Sequence, residues 1–421
     1  MSVSIADAGW LKDRTLQKLL AVLSANGEEA RIAGGAVRNA LLGEPVTDID
    51  IATTCLPDET EWRAEAAGFK PIPTGKDHGT ITVVAYGKPF EVTTLRADVE
   101  NHGRHATVAF GRDWTVDAER RDFTINALYA RADGTVIDLV GGIADLEKRN
   151  IRFIGKAEDR IREDYLRILR FYRFFAWYGS GRPDAEGIKA SARLKPGLSK
   201  LSAERVWAEL KKLLSAPDPS RALLWMRQSG VLTAILPESE KWGIDAVPGL
   251  IAAERDLGWP IDPLLRLASI IPPTVERVDS LADRLKLSKN EAKRLAEWAG
   301  FSSVPAETSE LALSKRLFSA GLQPGVDKLR LALAGARAKA VGDDQALIEA
   351  GHYSRLLKYA EAWDAPKFPV RGRDLFALGA EADERLGDAL AALKQEWIDS
   401  GFTLDRAALV ERARVLLKLG N

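Results

Sequence analysis

Asp48 and Asp50 stand two residues apart in Asp48-Ile49-Asp50, inside an apolar, strand-like run. Residues i and i+2 of a strand point to one face, so the two carboxylates project together. Two like charges that close repel unless a cation sits between them. Oxygen-only ligands suit Mg²⁺, which takes one or two carboxylates and completes its shell with substrate phosphates. A third acid, Glu91, lies in Pro89-Phe90-Glu91-Val92 on a later apolar run. It either faces outward from its strand or joins the pair. Upstream, Gly34-Gly35 precedes a helix-like stretch that stops at Gly43. Glycines there let backbone amides come close to a phosphate. Each feature alone is common, and a lone D-x-D is usually a solvated strand face or turn. Their conjunction in this order points to metal-assisted chemistry on a phosphate.

The elements that must position these groups divide the chain in two. The N-terminal third reads as mixed α/β. Residues 10–25 carry apolar side chains at helical spacing and stop at Asn26-Gly27. Strand-like runs follow at 48–52, 79–85 and 90–95. Residues 96–117 show little periodicity and read as a long loop. After about residue 145 amphipathic helical patterns dominate to the end, as in 163–176, 203–214 and 279–298. The fold class expected is α+β: a head with a small mixed sheet, then an extended all-helical region.

Composition narrows the function classes. The chain has 421 residues, 46% hydrophobic and 29% charged, which is globular and rules out disordered or collagen-like classes. A single cysteine, Cys55, leaves no disulfide framework and no multi-cysteine zinc site. Four scattered histidines do not suggest a metal cluster. No signal peptide and no membrane-spanning run are evident, so a cytoplasmic chain is expected. The eleven tryptophans read as helix-packing core. Sixty basic and sixty acidic residues cancel, which argues against a uniformly basic nucleic-acid binder. Residues 148–212, however, hold 17 Lys+Arg against 8 Asp+Glu, a local basic stripe.

With Gly34-Gly35, Asp48-x-Asp50 and Glu91 in place, the chain resembles the nucleotidyltransferase superfamily of DNA polymerase β. More narrowly, it is similar to the bacterial branch of CCA-adding tRNA nucleotidyltransferases and poly(A) polymerases. Residues 120–127 (RRDFTINA), 138–146 (DLVGGIADL) and 163–167 (EDYLR) match that family's second, third and fourth motifs, and 201–214 resembles its fifth. The resemblance covers roughly residues 30–215, with a looser likeness at 368–402.

The resemblance implies attack of an RNA 3′-hydroxyl on the α-phosphate of a nucleoside triphosphate. Asp48 and Asp50 would be metal ligands in a two-metal Mg²⁺ site, with Glu91 a third catalytic acid. It implies nucleotide contacts for Gly34, Gly35, Arg38, Arg120, Arg121, Asp122 and Asn126. Arginine forks suit phosphate oxygens, and Asn126 suits a ribose hydroxyl.

Asp164 and Arg167, three apart, would share a helix face and read the base. Cytosine and adenine each show an amine beside a ring-nitrogen acceptor. An ionised Asp offers only acceptors and an Arg only donors, so one pair matches both bases. Uracil and guanine put a carbonyl oxygen against the carboxylate. Arg170 and Arg173 would face phosphate or tRNA. Arg96, Asp98 and Arg104 match the family's flexible loop. Glu163, Glu204, Arg205 and Glu209 resemble a structural brace.

Departures are few. Asn39 stands where the family more often has Asp, and Ala106 replaces a common Pro. No histidine is followed by Asp, so an appended phosphohydrolase domain is not expected. The domains implied are a catalytic head (1–145), a base-reading neck (146–216), a body (217–340) and a tRNA-binding tail (341–421). The function implied is addition of C, C and A to tRNA from CTP and ATP. Residues 74–83 favour it over poly(A) addition. A non-catalytic RNA-binding protein on the same scaffold is a third reading, opposed by the intact acids and arginines.

Overall fold

The computed structural model describes residues 3–102, 105–377, 380 and 384–417, with backbone only over 97–102 and 105–108 and at 241. The chain forms two compact units, Met1–Glu240 and Lys241–Asn421.

The first unit is built on a seven-stranded sheet. Its strands are β1 (Ala30–Ala33), β2 (Asp50–Thr53), β3 (Lys70–Gly75), β4 (Thr80–Ala85), β5 (Lys88–Thr94), β8 (Leu128–Ala130) and β9 (Val136–Asp138), in the order β3-β4-β5-β2-β1-β8-β9. Only β2 and β5 pair in parallel; their register sets Asp50 beside Glu91. β1 is buried along its whole length, as a central strand should be. Helix Arg14–Leu23 is capped by Asp13, whose carboxylate accepts from the amides of Thr15 (2.8 Å) and Leu16 (3.2 Å). Its leucines 16, 19, 20 and 23 recur at helical spacing and are all buried.

Two expectations need correction here. The strand begins at Asp50, so Asp48 lies in the irregular segment before it rather than within the ladder. The supposed loop at 96–117 is a hairpin, β6 (Arg96–His102) against β7 (His105–Phe110), followed by helix Trp114–Glu119. An isolated two-stranded ribbon is held by its own ladder and shows no sheet-face periodicity, which is why the pattern read as irregular.

Beyond the sheet, helices Ala157–Glu163, Leu166–Tyr178 and Ala203–Leu214 complete the chemistry-bearing part of this unit. An aromatic cluster anchors the second of them, Leu166–Tyr178, to the segment around Phe123. Phe123 lies 4.8 Å from Phe153 and 5.2 Å from Phe174, and Phe153 stacks on Phe171 at 5.5 Å, ring centre to ring centre. Such pairs add about 0.5–1.5 kcal/mol each beyond buried area.

The second unit is helical. One core joins Phe301, Leu313, Leu317, Leu329, Leu333 and Leu356. Another joins Leu375, Leu393, Trp397 and Leu409. The tryptophans are not all core: Trp62 and Trp242 are exposed at 63% and 52%. No helix among the described residues is long and apolar enough to cross a membrane. Cys55 is buried and unpaired.

Candidate active site

The antiparallel register of β1 on β2 sets Ala33 opposite Asp50. The chain therefore reaches Gly34 right beside the acid pair. Gly34 turns with φ +65° into helix Gly35–Leu42, and its amide donates to Leu128 O at 2.8 Å. A Cβ there would lie 3.3 Å from both Arg121 Nη1 and Asn126 O. Glycine is thus favoured by conformation, and a Cβ would also crowd Arg121 and Asn126. Gly34→Ala is expected to cost about 1–2 kcal/mol of stability. It should also raise the KM for nucleoside triphosphate about tenfold by displacing Arg121; unchanged thermal melting and KM would contradict this.

Asp48, Asp50 and Glu91 line one cavity of about 600 Å³. Thr47 Oγ1 donates to Asp48 Oδ2 at 3.0 Å. Asp50 is open to the cavity yet set against enough protein that burial raises its carboxyl above the ordinary range. Glu91 and Asp48 push the same way, and Arg121 opposes them. An acid set crowded by its own charge is the donor chemistry a hard cation fits. Among the described residues no group of three or more His, Cys, Asp or Glu is disposed to hold a metal by itself. The cavity also takes in Trp10, Asp13, Thr82 and Lys88. Sequence reasoning missed them, because only the β4–β5 register and the Lys88–Asp13 ion pair bring them in.

Beside the acids runs a chain of arginines on a rigid polar network. Arg121 donates to Asp117 Oδ2 (3.1 Å), Tyr129 Oη (3.1 Å) and Asn126 O (3.3 Å). Tyr129 Oη in turn donates to Asp117 Oδ2 at 2.6 Å. Arg120 takes the other oxygen of Asp117, with Nη2 at 2.6 Å. Arg38 donates to Asn126 Oδ1 and to Tyr178 Oη. Asn126 Nδ2 donates to Asp122 Oδ1 at 3.0 Å, and Arg170 Nε to Asp122 Oδ2 at 2.7 Å. Gly34, Gly35, Arg38, Arg121, Asp122, Asn126 and Arg170 thus form one connected wall. Asp117 and Tyr129 belong to it and were not foreseen.

Asp122 is buried. Burial pushes its carboxyl up, but Arg170 and the Asn126 amide outweigh this and hold it below the usual range. A depressed acid contributes stability that is complete above its unfolded value, near pH 4, and lost as pH falls through the folded value. Asp122→Asn is expected to cost about 2 kcal/mol at neutral pH. Its Tm should also fall less steeply than the parent's in acid. Parallel Tm-against-pH curves would contradict this.

The second and third motifs brace each other. Asp138 accepts from the amides of Val140, Gly141, Gly142 and Ile143. Gly142 packs so closely on Thr124 that a Cβ would lie 2.3 Å from its carbonyl oxygen. Asp145 then accepts from Thr124 Oγ1 at 2.7 Å.

The fourth motif differs from expectation. Helix Ala157–Glu163 ends at Glu163, Asp164 is extended (φ −154°, ψ 110°), and the next helix starts at Leu166. Asp164 and Arg167 therefore do not share a helix face. The Asp164 carboxylate accepts from Leu166 N (3.0 Å) and Arg205 Nη2 (2.6 Å). Arg167 is held by Glu163 and by Arg160 O, and lies 3.4 Å from Arg120 O. Glu163 also pairs with Arg160 at 2.8 Å. Arg173 pairs with the buried Glu209 at 2.6 Å and lies over the Phe174 ring, joining two helices. Glu204 sits exposed in the first turn of its helix. Arg96 donates to His78 O at the base of the hairpin. The side chain of Asp98 and the whole of Arg104 lie outside the described residues.

Known proteins place this arrangement. Residues 30–152 match the family model described as poly A polymerase head domain, and 183–242 match a probable RNA and SrmB-binding site of polymerase A. The chain is 35% identical to mouse CCA tRNA nucleotidyltransferase 1, mitochondrial, over 94% of this chain and 88% of the relative. It is 42% identical to the CCA-adding enzyme of Geobacillus thermodenitrificans over 52% of this chain and 54% of that one. The Bacillus stearothermophilus CCA-adding enzyme, solved in complex with CTP, superposes with a TM-score of 0.74 at 28% identity, covering 96% of this chain and 98% of the other. A Thermotoga maritima CCA-adding enzyme complexed with tRNA shares the fold, with a TM-score of 0.62 at 20% identity over 98% of each chain. Two-unit fold, acid pair, glycine turn and near full-length likeness agree: the chain belongs to the nucleotidyltransferase family of CCA-adding enzymes and poly(A) polymerases.

Proposed function

We propose that this enzyme adds C, C and A in turn to the 3′ end of tRNA, using CTP and ATP and releasing pyrophosphate. The observation that carries the reading is the likeness to a CCA tRNA nucleotidyltransferase over 94% of the chain. The site fits that chemistry. Asp48 and Asp50 would hold Mg²⁺, with Glu91 alongside. When bound, the metal supplies positive charge for the triphosphate and for the attacking oxygen. The Gly34-Gly35 turn and Arg121 receive the phosphates, and Asn126 and Arg38 form the wall behind the sugar. Asp164 accepts from the base amine, and Arg167 donates to the adjacent ring nitrogen. Leu166 N and Arg205 leave part of the Asp164 acceptor capacity for the base.

The remaining proposals follow the same family. The chain divides into head (1–145), neck (146–216), body (217–340) and tail (341–421), the last two gripping tRNA by shape and phosphate. Arg96, Asp98 and Arg104 act in the switch from C to A. The proposed compartment is the cytoplasm, although the mouse and human relatives are named mitochondrial.

The test is incubation of tRNA lacking its last three nucleotides with labelled CTP, ATP or both. CTP alone should add two residues, and both together should add three and stop. Long A tails would support poly(A) addition instead. No incorporation would support a non-catalytic RNA binder.

A further inference from the structure

Within the second unit, helices Ala246–Leu257, Pro263–Ser269, Lys289–Gly300 and Leu322–Lys339 surround a cavity of about 300 Å³. Its walls are largely apolar, with Leu250, Ala268 and Leu331 among them. The first and last of these helices approach closely at Gly249, where a Cβ would lie 2.8 Å from that of Ala338. Besides Ser269, whose hydroxyl donates to Arg266 O, two groups break the apolar lining. The Trp298 indole is buried at 3% exposure, and its Nε1–H has no hydrogen-bond partner among the described residues. Buried donors are almost always paired, so an orphan one calls for an acceptor. Lys328 Nζ lies 4.6 Å from the centre of the same indole ring. Burial pushes its ammonium below the usual lysine range, and among the described residues no carboxylate opposes the shift. Among the described residues its charge is met by the ring face.

Among the described residues, a cation without a counter-ion and a donor without an acceptor, both in the lining, ask for anionic oxygen. The volume is at the small end for ligand pockets and suits one ring rather than an extended molecule. We propose that this cavity binds a small ring-bearing anion, a carboxylate or a phosphate monoester. Its oxygens meet Lys328 and the Trp298 N–H, and its ring fills the apolar part. Trp242, 52% exposed and lining the cavity, covers the outer edge of that ring.

The test uses the full chain with ¹⁵N-labelled tryptophan, and benzoate and phenyl phosphate as probes. The Trp298 indole signal, identified by its loss in Trp298→Phe, should move with at least one probe at millimolar concentration. Which probe moves it separates carboxylate from phosphate. Lys328→Met should weaken that binding about tenfold or more, while Lys328→Arg keeps it. Thermal melting shows that each variant is folded. Excess CTP should leave the shifts in place, which separates this site from the nucleotide site. The proposal is overturned if neither probe moves the signal, if folded Lys328→Met binds like the parent, or if CTP displaces the probe.

Discussion

Asp50→Ala is expected to lower kcat for nucleotide addition on the order of 10³-fold or more, while triphosphate binding falls far less. The two effects separate because the groups are separate. Asp48, Asp50 and Glu91 line the acid cavity, whereas Arg121 and Gly34 sit on the arginine wall. If Asp50 holds the metal as proposed, removing it takes away that ligand and leaves the wall intact. Asp48→Ala should behave alike. Glu91→Gln should cost less, because Glu91 shares the cavity but is the third acid of the set. Single-turnover rates at saturating CTP, with Mg²⁺ titrated, check this. Near-normal turnover with normal Mg²⁺ dependence in Asp50→Ala would remove these residues from the chemistry.

The second large effect concerns the choice of base. Exchanging the pair as Asp164→Arg with Arg167→Asp should cut discrimination against UTP and GTP on the order of 10²-fold or more. A site built of fixed donors and acceptors rejects a mismatched edge by leaving its own groups unpaired. The structure adds a sharper form of this prediction. Arg205 holds Asp164 at 2.6 Å, and Glu163 holds Arg167. Arg205→Ala should therefore loosen base choice while leaving the phosphate wall untouched. Its misincorporation should rise about tenfold, with the KM for CTP little changed. Unaltered nucleotide preference in the swapped pair would sink the assignment of Asp164 and Arg167.

Much of the site was legible because its chemistry is local in sequence. Gly34-Gly35, Asp48-x-Asp50 and the 120–127 stretch each carry their own pattern. The rest depends on pairings between distant residues. Glu91 joins the acids only because β2 and β5 pair in parallel across some forty positions. Asp117 and Tyr129 orient Arg121 from a helix and a strand that no motif connects. Arg173 was expected to face phosphate or tRNA, whereas the fold sets Glu209 against it. The spacing of Asp164 and Arg167 suggested one helix face, whereas the chain breaks between two helices at Asp164. A carboxylate that accepts the Leu166 amide at a helix start is better placed there than inside a helix. The short strands β1, β8 and β9 were missed because three or four residues carry too little alternation to distinguish them from any short run.

The central claim is that one protein site, without a nucleic-acid template, accepts both CTP and ATP. Competition binding on the full chain with Mg²⁺ tests it most directly. ATP should displace labelled CTP completely and with one-to-one stoichiometry, UTP and GTP should displace it poorly, and Arg167→Ala should lose both ligands together. Independent binding of ATP beside CTP, or equal displacement by all four triphosphates, would contradict the account.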